Sequence, residues 1–168
     1  MEERDAAKGY LTSVIQRLRA QGFDCSENVG HGDQVFSCVG KRTRFELTKF
    51  GFSETFFVFA EFPSVDIGSL RQFSAKCFEY AKKEKSIPLP RGLFESVWCF
   101  SVALVDAIDA HTSEAVRNEA PAKHWASAEV PVVYDLKSRA LYYFDKTPMW
   151  GAAYYAAFRK TVREMLAP

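Results

Sequence analysis

The stretch Thr-Phe-Phe-Val-Phe-Ala-Glu-Phe, residues 55–62, has no charged side chain until Glu61. Successive side chains of a strand point to opposite faces of its sheet, so a run this apolar needs cover on both sides. That requirement places it in the middle of a sheet. Working upstream, three more strand-like runs precede it, Phe23–Glu27, Gln34–Val39 and Thr43–Phe50, and the central run itself starts at about Glu54. The breaks between them are Gly30-His31-Gly32-Asp33, Gly40-Lys41 and Gly51-Phe52-Ser53, which is turn chemistry. Connections this short join antiparallel neighbours, so the four runs read as a meander.

Helical spacing flanks the strands. Ala6, Ala7, Tyr10, Leu11, Val14, Ile15 and Leu18 recur at the helical period ahead of Gly22, predicting a first helix over about residues 3–20. A second helix is predicted from Ser69 to Lys85, with Ser69 and Gln72 as its capping box and Leu70, Phe73, Cys77 and Tyr80 or Ala81 on its inner stripe. A buried strand, Ser96–Val105, and a short helix, Ser113–Asn118, come next. Thr112 is the expected N-cap of that helix. Glu129–Asp135 and Ala140–Asp145 read as a hairpin, and Trp150 to Leu166 as the final helix. The expected fold is a single α+β domain over residues 1–168, in the order αββββαβαββα, with an antiparallel sheet packed by three main helices.

Composition narrows the function. A chain of 168 residues that is 48% hydrophobic can bury a sizeable core, which excludes wholesale disorder. A formal net charge of +1 supplies no global field for nucleic acid or anionic membranes. The longest apolar run, Val97–Val105, is nine residues, under half of the roughly 20 that a spanning helix needs. The charged opening Met-Glu-Glu-Arg-Asp differs from a secretory leader, so the expectation is an intracellular, cytoplasmic protein. Cys25, Cys38, Cys77 and Cys99 contain no Cys-x-x-Cys pair and read as small buried hydrophobes, with a Cys25–Cys38 hairpin bridge as the minor alternative.

Several chemistries fail on spacing. Gly30-x-Gly32 stands between two strands, whereas a phosphate cradle needs the free amides of a following helix. Glu46 and Lys49 are an odd interval apart, so a regular strand sends them to opposite faces, against a nuclease-like arrangement. No Gly-x-Ser-x-Gly elbow occurs. The basic groups at Lys41, Arg42 and Arg44, at Lys82, Lys83 and Lys85, and at Arg159, Lys160 and Arg163 read as solvated faces, with Lys160 paired to Glu164. Asp106, Asp109, His111 and Glu114 form the best acidic cluster, and they supply the alternative reading of a metal-dependent hydrolase acting on phosphodiesters. Acidic residues at the start of a helix also serve its free amides, and this plainer reading is preferred.

The leading functional reading rests on Pro121-Ala-Lys-His-Trp125 and Thr147-Pro-Met-Trp-Gly-Ala-Ala-Tyr-Tyr155, which hold two of the three tryptophans. Large aromatics at joints between elements either lock the joint or line a surface that something else occupies. Lys123, His124, Trp125, Trp150, Tyr155 and Arg159 are the candidate binding residues, with His124 and Tyr155 expected off the inward stripe of Trp150, Tyr154, Phe158, Val162 and Met165. The small residues Gly151, Ala152 and Ala153 leave room for close approach. The chain is thus expected to be a non-catalytic binding or assembly domain that needs no cofactor. The expected partner is a small-molecule ligand, another protein or a second copy, with no strong nucleic-acid signal and no membrane. If Trp150 anchors the last helix, Trp150→Ala should destabilise the fold by about 3–5 kcal/mol. A melting temperature within a degree or two of the parent would show that the ring is exposed.

Overall fold

The computed structural model describes residues 2–46, 51–86, 95–147 and 152–168, with the side chains of residues 2–4 and of Lys123 outside that description. Along the chain lie α1 (Glu2–Ala20), β1 (Asp24–His31), β2 (Gln34–Glu46), β3 (Gly51–Phe62), α2 (Ile67–Lys83), β4 (Glu95–Val105), α3 (Ala110–Asn118), β5 (Lys123–His124), β6 (Ser127–Asp135), β7 (Ala140–Tyr143) and α4 (Ala152–Leu166). Helices alternate with groups of strands as the sequence predicts, and the fold is a single-domain α+β arrangement. The strands form one sheet in the order β1-β2-β3-β4-β6-β5, with β7 also paired to β6.

The sheet is mixed, which corrects the expectation of a wholly antiparallel one. β1, β2 and β3 form the expected antiparallel meander, but β3 pairs with β4 in parallel, and β4 with β6 likewise. Parallel neighbours need a long crossover. The two predicted helices provide it, α2 between β3 and β4 and α3 between β4 and β6. The three sequence breaks also behave differently from the prediction. The first turn narrows to Gly32-Asp33, because His31 already pairs with Gln34. Gly40-Lys41 is not a turn: the predicted second and third runs form a single strand, β2. Gly51-Phe52-Ser53 lies inside β3, opposite Arg44–Glu46, and the connection at 47–50 is outside the described residues.

Gly40 is small for a packing reason. A Cβ there would stand 3.1 Å from Leu18 Cδ1 and 3.6 Å from Cys25 Sγ. The missing side chain lets α1 lie close on β2. One face of the sheet carries α1 and α4, with Leu11, Val14, Leu18, Phe158, Val162 and Leu166 packed on Phe57, Phe59, Phe100, Val102 and Val130. The opposite face carries α2 and α3, with Leu70, Phe73, Cys77, Phe78 and Val116 on Phe56, Val58, Val97, Cys99 and Val133. Phe56, Phe57, Val58 and Phe59 are all fully buried, as the opening stretch requires. Phe57 and Phe100 stack across the parallel pair at 4.7 Å.

Local signals shift the helix starts. Asp66, not Ser69, caps α2: its side chain accepts from Ser69 N at 2.7 Å, while Ser69 Oγ accepts from Asp66 N at 3.0 Å. Asp109 caps α3, accepting from Thr112 N at 2.9 Å, so that helix begins at Ala110. Thr112 is buried at its third position. The cysteines are free thiols, so Cys25 and Cys38 form no bridge, and burial pushes Cys38 up to about 12. None of the described helices is long and apolar enough to cross a membrane.

Two glycines should respond in opposite directions. Gly9 is exposed in α1, with nothing near its missing Cβ, so Gly9→Ala should stabilise by about 0.5–1 kcal/mol through helix propensity. Gly40→Val should destabilise by about 1–3 kcal/mol, because fully buried Leu18 cannot move without strain. Denaturant midpoints of the two variants check both signs.

Candidate functional site

The site begins with an incomplete sheet edge. β4 pairs with Ala128–Asp135 on one side of β6. On the other side β5 covers Ser127 and Ala128, and β7 covers Val132–Asp135. Glu129, Val130 and Pro131 lie between these two partners, with no strand beside them there among the described residues. Proline suits this position because it has no N–H to leave unpaired. β5 and β6 are joined by Trp125-Ala126, and Ala126 holds a left-handed φ of 51°, a conformation that costs a non-glycine residue roughly 1–2 kcal/mol. This tight turn leaves Trp125 83% exposed at its tip.

The hairpin brings His124 onto Glu129. His124 Nε2 is 2.8 Å from Glu129 Oε2, and the Glu129 side chain is only 8% exposed. The imidazole also stacks on Phe78 of α2, with ring centres 4.1 Å apart, so its orientation is fixed from two directions. Glu129 belongs to an apolar neighbourhood. Burial first, then Cys99 and Glu129, push the Cys77 thiol up, while burial and Glu129 do the same to Cys99.

α4 supplies the opposite wall. Its C-terminal end is held by α1, where Tyr10 Oη donates to Leu166 O at 2.7 Å and Arg17 donates to Met165 O and Ala167 O at 2.9 and 2.6 Å. Its buried stripe is Phe158, Val162, Met165 and Leu166. Tyr154, expected on that stripe, is instead 54% exposed. One helical turn before Phe158, it reaches the open edge of β6, where little sheet remains to cover it. A groove of about 300 Å³ lies there, lined by Trp98, His124, Ser127, Glu129, Tyr154, Tyr155 and Phe158 among others. A second cavity of about 460 Å³ lies toward α2 and α3 and shares Pro121, Ala122, His124 and Glu129 with the first.

Of the predicted binding residues, His124 and Tyr155 come together in this groove. His124 is exposed, as expected, with its ring stacked on Phe78, whereas Tyr155 is half-buried and packs against Phe144 and Phe158 with ring centres 5.2 and 6.1 Å apart. Trp125 stands beside the groove and points outward. Arg159 is engaged elsewhere, donating to Lys146 O at 2.8 Å and Thr147 Oγ1 at 3.0 Å. Trp150, Gly151 and the Lys123 side chain lie outside the described residues. Glu129, Trp98 and Ser127 were missed. The available signal was Glu129 itself, a carboxylate inside the run Ala128–Tyr134 whose other members are all uncharged.

The acidic cluster adopts a different organisation. Both oxygens of Asp109 accept from Thr112, Oδ1 from the amide and Oδ2 from the hydroxyl, and these bonds hold its carboxyl below the usual carboxylate range. His111 and Glu114 are exposed on α3, and Asp106 lies in the preceding loop. Among the described residues, no three His, Cys, Asp or Glu side chains are grouped as metal ligands.

No protein-family profile, curated protein or solved structure matches this chain.

Proposed function

We propose that this is a non-catalytic binding domain that holds a small organic ligand in the groove between the β5–β6 hairpin and α4. One observation carries the reading: His124 and Tyr155, chosen from the sequence as candidate binding residues on separate elements, line the same groove of about 300 Å³. Ligand sites are concave and mostly apolar, with a few fixed polar groups. Aromatic rings form one side here, and the hydrogen-bonded His124–Glu129 pair forms the polar end.

Blocking the groove tests this proposal. Ala122 is exposed on its rim, so Ala122→Trp should change stability by no more than about 0.5 kcal/mol, as for other surface positions. Ligand-observed NMR with a set of ring-bearing fragments should find binders of the parent chain that compete with one another and are lost in Ala122→Trp. If the parent binds no fragment, or the variant retains every binder, the groove is not a ligand site.

A further inference from the structure

Alternation along β6 turns the Glu129 carboxylate toward α2. Ala128, Val130 and Val132 pack with Phe158 on the α1–α4 face, whereas Val133 packs with Phe78 and Val116 on the α2 face. Glu129 therefore shares the α2 face with Val133 and with its register partner Cys99. On that face lies the cavity of about 460 Å³, between α2, the end of α3 and the open edge of β6. Its walls are mostly apolar, with Ile67, Leu70, Val116 and Pro131 among them. The other polar groups on the wall are occupied. Ser74 is fully buried and hydrogen-bonded to Ser101 at 2.7 Å, and Arg71 is ion-paired with Glu119. Glu129 is the exception. Its side chain is 8% exposed, and Oε2 lies 2.8 Å from His124 Nε2. Oε1 has no hydrogen-bond partner among the described residues, and none of their Lys or Arg side chains is ion-paired with it. A neutral imidazole donating Nε2–H satisfies one oxygen and leaves the negative charge in place.

A carboxylate this buried is costly without donors and a counter-charge, and that requirement discriminates between ligand classes. An anion would meet Glu129 with Arg71 already neutralised by Glu119. A divalent metal needs several oxygen ligands, and among the described residues no three His, Cys, Asp or Glu side chains are grouped to hold one. A neutral molecule can donate to Oε1, but it would seal the charge away from water without offsetting it. A primary alkylammonium ion brings donors and a positive charge at one end and an apolar body at the other. Its attraction to Glu129 strengthens as water leaves. The volume falls within the range of small-molecule sites, about 300 to 1,000 Å³. We propose that this cavity binds a small primary alkylammonium ion, with its nitrogen on Glu129 Oε1 and its alkyl body against Ile67, Leu70 and Val116. The site lies on the opposite face of the sheet from the aromatic rings of α4 and stands independently of the binding reading above.

Suitable probes are 3-methylbutylamine and 3-methylbutan-1-ol, which share an alkyl body, both donate a hydrogen bond and differ in charge. Calorimetric titration of the full chain at pH 8 lies above the ordinary imidazole value of about 6.5 and below the ammonium value of about 10.4. The amine should bind at least about ten-fold tighter than the alcohol, because a charge-assisted hydrogen bond is roughly twice as strong as a neutral one. Glu129→Gln keeps an oxygen that can accept from His124 and removes the charge. It should abolish the preference and leave alcohol binding unchanged, at an unaltered melting temperature. Ala75 is exposed on α2 and lines this cavity but not the α4 groove. Ala75→Trp should therefore abolish binding of both probes with little change in melting temperature, and it keeps the test decisive if Glu129→Gln fails to fold. The same variant should retain the ring-bearing fragments of the α4 groove, so failure of one site is distinguishable from failure of the other. Equal affinities for the two probes, no amine binding at tens of millimolar, or amine binding that survives either variant would overturn the assignment. Capped lysine binding more tightly than the free amine would identify a partner protein's side chain as the occupant and overturn the small-molecule assignment as well.

Discussion

β3, β4 and β6 are parallel neighbours at the centre of the sheet, and their side chains must be buried on both faces. Most of the architecture follows from that constraint. A parallel pair needs a crossover, and each crossover here contains a helix that covers one face. α2 and α3 lie on the same side and leave Phe57, Phe59, Phe100 and Val102 uncovered on the other. Only the helices at the ends of the described chain, α1 and α4, remain to cover it. They reach it together, and the Tyr10 and Arg17 bonds to the end of α4 join residues nearly the whole chain apart. The same bonds satisfy carbonyls that the end of a helix would otherwise leave without partners.

Charged residues at one end of the sheet obey the same constraint in another form. Glu54 sits on the α2 face at the start of β3 and is fully buried. Its oxygens accept from Ser86 N at 2.8 and 3.0 Å, and Lys41 lies 3.5 Å away. Glu95, on the adjacent strand, pairs with Lys85. A buried carboxylate without such partners would be strongly destabilising. These pairs fix where the C-terminal end of α2 lies against the sheet. Lys41 also donates to Glu84 O at the end of that helix. Lys41 and Lys85, which read as parts of solvated faces in the sequence, are therefore tethers.

The elements were legible where hydrophobic period and burial coincide. The both-faces pattern at 55–62, the helical period from Ala6 to Leu18 and the inner stripe of α2 all have direct counterparts in the structure. Strand direction was less legible. The short break between β1 and β2 joins antiparallel neighbours, whereas the segments containing α2 and α3 are long enough for crossovers and join parallel ones. Gly40 misled for a different reason. A glycine needed for close helix approach and a glycine needed for a turn look alike in sequence, and only Leu18 overhead distinguishes them. The aspartates before α2 and α3 outcompeted Ser69 and Thr112 as caps because each carboxylate accepts an amide and a hydroxyl hydrogen bond or the equivalent reciprocal pair.

The candidate site was half legible, and its missing half depended on the incomplete edge of β6. His124 and Tyr155 stood out because they sit at joints. Glu129 did not, since its significance comes from having β5 on one side of it and Pro131 on the other. If β5 continued alongside β6, the backbone at Glu129 would have a pairing neighbour, and Tyr154 would rest on sheet instead of facing an opening. If β7 extended to meet β5, Pro131 would interrupt the ladder. The break in pairing at Glu129–Pro131 is therefore what turns an ordinary sheet edge into a concave surface. The hairpin places the imidazole, Phe78 steadies it from α2, and α4 contributes the rings. Three separate layers converge on a few residues of one strand, so the groove is set by packing on both faces of the sheet and is held open by rigid elements.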